Sequence, residues 1–515
     1  MIDGLTMSNV VKRAAALFPT NTAVIFGERE YSYSEYNQRV NRAANVLKGL
    51  GVNFGDHVAI LGRNSVEYLE VCHAAGRVGA VFGALNWRLS SSELSFIIAD
   101  GDFKVLFVEA GFQSVVAEAL ADLHNISLVV FGGDLTLDGA QDYVALHDAA
   151  ASSDPCVVVS SSDDAMIMYT SGTTGQPKGA ILTHGNICWD AVGYLTYMAP
   201  KPYDCALVSM PMFHVSGMHI VTTSMLVRGR PLVIMPQFDP EQACRLIQKH
   251  RVTIACILVT PLQLLLDCPG RKQFDLSSLR RVITAAAKYT TKFGVRAKAE
   301  LGLERLHMAY GLTEAAPLVS ITEESGQMLA KENTLGRPVW YLDVRIVDDN
   351  GQEVAVGEQG EILVRGPNVF KGYYKRDEMN AEVRQNGWLH TGDIGYLDSE
   401  GYLFFVDRKK DIIKSGGENV SSLEVEIAIL RANPELAEAA VVGIAHERWG
   451  EAVNAFVVIK SGQSCETDQL ISRTREYLAG YKLPKSVHFR DNLPKNGSGK
   501  VLKRQLRESV AQNEK

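Results

Sequence analysis

Residues 169–179 read YTSGTTGQPKG, and this stretch decides how the chain is understood. Three glycines, four hydroxyl residues and one lysine fall within eleven residues. Glycine lets backbone N–H groups approach and point at oxyanions. Thr170, Ser171, Thr173 and Thr174 can donate further hydrogen bonds, and Lys178 adds a compact positive charge. A surface turn ahead of a helix needs no such density of donors. The pattern predicts a phosphate cradle, and one that is not a Walker A loop, because GxxxxGK[ST] is absent.

Outward from the cradle, the apolar run 165–168 precedes it and a Ser/Asp-rich loop, 151–164, precedes that. Residues 8–150 alternate helical and strand patterns. Helices are predicted over 36–49 and 65–78, the second with Ser65 as N-cap, and strands over 57–61, 105–108 and 127–131. Alternation returns over 205–310, which predicts βαβ units and mostly parallel sheets. Beyond 335 the pattern changes to short strands at 344–347, 361–364 and 402–406, with turn signals at 349–351 and 399–401. After the charged Asp407-Arg408-Lys409-Lys410 come a glycine pair, a helix over 421–431, strands over 439–442 and 455–459, and a helix over 467–478. The expected class is α/β: doubly wound α/β subdomains plus a β-rich module over 1–406, a hinge at 407–410, and a small mobile α+β domain over 411–515.

The chain's 515 residues leave room for roughly three domains at about 150 residues each. Lys+Arg 52 against Asp+Glu 59 gives −7, which speaks against nucleic acid as a partner. Eight scattered cysteines form neither a CxxC nor a Cys/His cluster, which fits a reducing cytoplasm rather than a zinc site or a disulfide framework. Arg228, Arg230, Pro261 and Gln263 interrupt the most apolar stretches, so stable membrane insertion is not expected. A homodimer is left open.

The cradle resembles the phosphate-binding signature of the adenylate-forming superfamily: acyl-CoA synthetases, peptide-synthetase adenylation domains and luciferases. Three further stretches resemble that superfamily in order and spacing: MAYGLTEAAP at 308–317, GWLHTGDIGYLDSEGYLFFVDRKKDIIKSGGENV at 387–420, and PKNGSGKVLKR at 494–504. The resemblance implies ATP, Mg²⁺ and coenzyme A as co-substrates of a small carboxylic acid. The carboxylate attacks the α-phosphate to give an acyl-adenylate and pyrophosphate, and a thiol then displaces AMP.

Residue by residue, the resemblance implies that Thr170, Ser171, Gly172, Thr173, Thr174, Gly175 and Lys178 hold the β- and γ-phosphates. Ala287, Tyr310 and Gly311 lie at the adenine, Thr313 reaches the α-phosphate, and Glu314 helps hold Mg²⁺. Asp393 and Arg408 meet the ribose. Lys500 reaches the α-phosphate and carboxylate oxygens. Lys410 occupies the hinge position. Gly416 and Gly417, with Lys414 beside them, line the thiol path. His214, in PMFHVSG, lies near the carboxylate. The acid is left among medium-chain fatty acids, long-chain fatty acids and aryl acids. Alternatives of other kinds are a stand-alone enzyme loading a carrier-protein thiol, a luciferase-like oxygenase, and a non-catalytic binding homologue. Residues 282–289, VITAAAKY, depart from the superfamily's usual glycine-rich pattern and set Lys288 beside the adenine and acyl sites.

Overall fold

The computed structural model describes residues 4–170, 176–285, 291–323, 326, 330–416, 418–495 and 501–513. Among these residues the chain forms two compact units. The first runs through Val344 and takes in Val364–Leu389 and Gly401–Leu403; the second comprises Arg345–Leu363, His390–Glu400 and the chain from Phe404 onward.

Two large sheets build the first unit. One is nine-stranded, and its interior strands Arg305–Gly311, Arg281–Ala285, Ile254–Cys256, Ala206–Val208, Leu232–Ile234 and Thr22–Phe26 run parallel. Its edges turn antiparallel through Leu318–Ile321, Arg337–Pro338 and Arg29–Ser32. The other is eight-stranded, with Asp164–Thr170, Val81–Leu85, His57–Leu61, Phe103–Glu109, Ser127–Phe131 and Gln141–Asp142 parallel in that spatial order. Lys178–Thr183 and then Gly372–Tyr373 join its edge antiparallel. Strands buried on both faces need continuous apolar runs, and Val58-Ala-Ile-Leu61, after the half-buried His57, is one.

Local chemistry sets many helix starts. Ser65 accepts from the Tyr68 N–H ahead of helix Val66–Val78, which stops at Gly79 with φ 73°. Ser32 and Glu35 form a reciprocal cap on helix Tyr33–Gly49. Both helices lie within three residues of the sequence-based expectation, and strands His57–Leu61 and Ser127–Phe131 coincide with it. The buried strand Val81–Leu85 was not foreseen.

Beyond residue 343, the strands Asp343–Val347, Gly360–Arg365, Trp388–Leu397 and Arg384–Gln385 form a third sheet, with Leu403–Arg408 paired to Trp388–Leu397. The fourth sheet orders Glu418–Val420, Ile413–Ser415, Gly450–Ile459 and Leu436–His446, and Ser486–Phe489 adds parallel to Gly450–Ile459. Helix Ser422–Ala432 packs on it through Val425, Ala428 and Ile429, which share a core with Val441, Val453 and Val457. The helix expected over 467–478 ends at Thr474. There the Thr474 hydroxyl donates back to Leu470 O, and the following residues tighten into turns.

Candidate active site

The cradle joins the ends of two antiparallel strands rather than leading into a helix. Thr170 at the end of Asp164–Thr170 pairs in register with Lys178 at the start of Lys178–Thr183. Tyr169 anchors the base through its hydroxyl, which donates to Asp100 Oδ2 at 2.9 Å. Thr170 is half-buried and Lys178 buried. Ser171, Gly172, Thr173, Thr174 and Gly175 lie outside the described residues, as do Ala287 and Lys288.

Strand Arg305–Gly311 delivers Tyr310 and Gly311 to the carboxyl end of the nine-stranded sheet, beside the end of Arg281–Ala285, the usual place for a ligand in such sheets. Gly311 is required by a neighbour. A Cβ there would lie 1.9 Å from Pro317 O, which accepts the Leu312 N–H at 3.0 Å. The chain then turns through Thr313–Ala315 and passes Ala316 at φ 63° into the cis Ala316–Pro317 bond.

Side chains remote in sequence hold this turn. Asn368 Nδ2 donates to Ala315 O at 2.6 Å and to Leu318 O at 2.8 Å. Asp190 Oδ1 accepts the Leu318 N–H at 2.9 Å. Asp190 is fully buried, and desolvation pushes its carboxyl pKa well above the ordinary carboxylate value. Glu314 O accepts the Phe370 N–H at 2.9 Å, and Glu314 Oε1 accepts the Tyr373 hydroxyl at 2.6 Å. Lys178 Nζ lies 5.4 Å from the centre of the same Tyr373 ring. Two of the predicted nucleotide-binding residues, Lys178 and Glu314, thus meet at one tyrosine that sequence reasoning did not single out.

His214 precedes the short helix Val215–His219, with its ring 4.5 Å from that of Phe213. Gly217 lets this turn close, since a Cβ there would lie 2.1 Å from Pro211 O. Burial, helped by the Arg88 charge, lowers the His214 pKa to about 4, and its Nε2 has no partner among the described residues. At neutral pH the ring is an uncharged imidazole. Arg88 stacks over Trp87 and reaches the face of Phe213, at 4.7 and 5.7 Å. Met218 is buried.

In the second unit, Asp393 is 1% exposed within strand Trp388–Leu397. Arg408, at the end of Leu403–Arg408, brings its Nε to 2.8 Å from Asp393 Oδ1. The two residues expected at the ribose are therefore an ion pair. Glu361 braces the same stretch: Oε1 accepts the Gly392 N–H at 3.2 Å, and Oε2 meets Lys409 at 3.0 Å and His390 at 3.4 Å. Lys410 lies in the turn Lys409–Asp411, where desolvation lowers its pKa, and Asp411 pairs with Arg507 at 2.8 Å.

The SGGEN segment forms a strand-to-strand turn, with Ser415 opposite Glu418. Lys414 points outward from this hairpin, while its N–H donates to Glu451 Oε2 at 2.7 Å. Gly416 has φ 63° and donates to Trp449 O at 2.8 Å; the nearest atom to an added Cβ would be Trp449 Cδ1 at 3.8 Å. Backbone conformation, more than crowding, asks for glycine there. Gly417 and Lys500 lie outside the described residues; Lys495 and Val501, which flank the Lys500 segment, form an antiparallel bridge.

Residues 11–374 match the family model described as AMP-binding enzyme, and residues 424–500 match the AMP-binding enzyme C-terminal domain. The chain is 39% identical over 495 residues to a feruloyl-CoA synthase of Amycolatopsis sp, covering 96% of this chain and 97% of that one. It is 37% identical over 508 residues to an indoleacetate–CoA ligase of Aromatoleum aromaticum, covering 98% of each. Among solved structures, o-succinylbenzoate CoA synthetase of Bacillus subtilis with its acyl-adenylate intermediate superposes with a TM-score of 0.86 at 30% identity and 97% coverage of both chains. That enzyme has also been solved with ATP and magnesium. The chain belongs to the AMP-binding enzyme family. Its activity class is that of an AMP-forming acid–thiol ligase.

Proposed function

We propose that this chain converts an aromatic carboxylic acid to its CoA thioester in two half-reactions. In the first, a carboxylate oxygen bonds to the α-phosphorus of ATP and the bond to pyrophosphate breaks. In the second, the CoA sulfur bonds to the acyl carbon, AMP leaves with the bonding pair, and the thiol proton goes to solvent. The observation that carries the aromatic reading is kinship over nearly the whole chain with ligases named for feruloyl, indoleacetate and 2-succinylbenzoate groups. Among the three acid classes left by the sequence, the aryl acids are the ones these relatives favour.

Charge develops on the phosphates in the first step, so cations and oriented donors are the groups that accelerate it. The roles proposed for Thr170, the 171–175 segment, Lys178, Tyr310, Thr313, Asp393, Arg408 and Lys500 supply them. Glu314 fits a site for Mg²⁺. One carboxylate oxygen is held by Tyr373, and the other has no partner among the described residues. A single carboxylate suffices because Mg²⁺ keeps waters and takes phosphate oxygens. When bound, Mg²⁺ would neutralise phosphate charge. Neutral His214 can accept a hydrogen bond near the acid without pairing with its carboxylate as a cation would. Rotation of the segment after the 407–410 hinge is the proposed means of exchanging Lys500 for the Gly416–Gly417 loop.

No helix among the described residues is long and apolar enough to cross a membrane. All eight cysteines are free thiols, which supports a cytoplasmic site of action. The test is pyrophosphate release across a panel of aryl and alkyl acids, followed by CoA thioester formation with no added protein. Turnover confined to alkyl acids overturns the aromatic reading, and adenylation without CoA turnover favours a carrier-protein thiol as acceptor.

A further inference from the structure

The segment Phe370–Tyr374 is tied at several points to two elements that meet the nucleotide. Gly372–Tyr373 pairs antiparallel with Lys178–Thr183, Gly372 opposite Ile181 and Tyr373 opposite Ala180. The Lys371 N–H donates to Ile181 O at 3.0 Å and the Tyr374 N–H to Gly179 O at 2.8 Å. Asn380 clamps Tyr373 from behind, accepting its N–H at 2.6 Å and donating to its carbonyl at 2.8 Å. Phe370 packs edge-on against the Tyr373 ring at 4.9 Å and donates its own N–H to Glu314 O. The phenol is thus fixed in place by backbone bonds, and its hydroxyl ends on Glu314 Oε1.

We propose that Tyr373 is a positioning residue for the metal-binding carboxylate, and that it sets Glu314 and Lys178 in one register before nucleotide arrives. This rests on the reading of Glu314 as the Mg²⁺-holding group. A glutamate side chain is costly to order, and a phenol donating to it at 2.6 Å makes a charge-assisted bond that holds one rotamer. A neutral donor orients the carboxylate without cancelling the charge a cation needs. The face of the same ring attracts the Lys178 ammonium. One rigid side chain therefore fixes the separation between a cation aimed at phosphate and a carboxylate aimed at the metal.

The test uses Mn²⁺ as a paramagnetic probe on the full-length enzyme with a non-hydrolysable ATP analogue. Outer-shell partners of metal ligands are worth about 10–100-fold in affinity. Tyr373→Phe is expected to weaken Mn²⁺ binding roughly tenfold while leaving the KM for the acid, thioesterification of preformed acyl-adenylate and the unfolding midpoint unchanged. Glu314→Gln should weaken Mn²⁺ binding at least as much. If Glu314→Gln leaves Mn²⁺ binding unchanged, the reading of Glu314 and the proposal fall together. If Glu314→Gln weakens it and Tyr373→Phe does not, only the role of Tyr373 is overturned. If Tyr373→Phe lowers both half-reactions and the unfolding midpoint with Mn²⁺ binding intact, Tyr373 is a packing residue and the proposal is overturned.

Discussion

Two glycine-bearing turns, one in each unit, are built on opposite terms. The Gly311–Leu318 turn is crowded: a Cβ on Gly311 would strike Pro317 O, and Asn368, Asp190, Tyr373 and the Phe370 backbone grip the segment. The Ser415–Glu418 turn is open at Gly416: glycine is demanded there by a φ of 63°, and among the described residues no atom comes within 3.8 Å of where a side chain would go. A crowded turn holds its groups in one geometry, which suits a site where charge must be met at fixed positions. An open turn set by backbone conformation leaves a way through, which suits passage of a long thiol arm. The contrast parallels the division proposed between the two half-reactions.

Lys500→Ala tests the division of labour with the largest effect. If Lys500 plays the role proposed for it, loss of its charge should slow adenylation by roughly 10²–10³-fold, about 3–4 kcal/mol. Thioesterification of synthetic acyl-adenylate should continue near the parent rate. Equal losses in both assays would erase the comparison.

Gly311→Ala comes next. Its methyl has no room short of moving the Pro317 carbonyl, so a destabilisation of about 3 kcal/mol, at the upper end for overpacking, is expected. Adenylation should fall with it, read as pyrophosphate release in a single turnover. Full adenylation with a parent unfolding midpoint would show that the turn is softer than its contacts suggest.

Much of this architecture was legible in the sequence, because it is local. Ser65 and Ser421 cap the helices expected after them, and the 57–61 and 127–131 runs are strands. Tyr373, Asp190 and Asn368 were not legible as site residues. They act on partners 59, 128 and 53 positions away, and nothing in YYK, WDA or PNV advertises a carboxylate, an N–H or a carbonyl waiting across the fold. The sequence reading gives the glycine pair and the helix after it, but not the hairpin at 413–420. Its second strand, Glu418–Val420, is too short to show a period before Ser421 starts the helix. The VFGAL strand was missed because a glycine interrupts an otherwise apolar run that is buried on both faces.

Acid should separate the units. His73 and His219, both in the first unit, are almost wholly buried, and burial lowers their pKa values to about 4 and about 3. The unfolded state therefore binds more protons than the folded state between these values and the ordinary pKa near 6.5. The stability these rings contribute is complete above about pH 6.5. It falls by about 1.4 kcal/mol per pH unit for each ring as pH drops toward the folded values. Among its described histidines, His390, His446 and His488, the second unit has none that is buried. Amide exchange at pH 7, 6 and 5 should show the first unit losing protection first. His219→Gln should remove one proton from that slope. A second unit that loses protection in step with the first would mean the two unfold as one body.

Gly416→Ala should have the smallest effect and speaks most directly to the open turn. Alanine can enter the left-handed region at a cost of roughly 1 kcal/mol, and the nearest atom to its methyl is an ordinary contact away. Local strain rather than a clash should result, confined to the hairpin between Ile413–Ser415 and Glu418–Val420. Thioesterification should slow by a few-fold, about the factor that 1 kcal/mol represents, while pyrophosphate release stays at the parent rate. Leucine at the same position carries the same backbone strain and adds bulk. A far greater loss of thioesterification with leucine than with alanine would therefore place the side chain in the path of the thiol. Matching losses would mean that Gly416 serves only the backbone, and that the two turns differ in conformation but not in what passes through them.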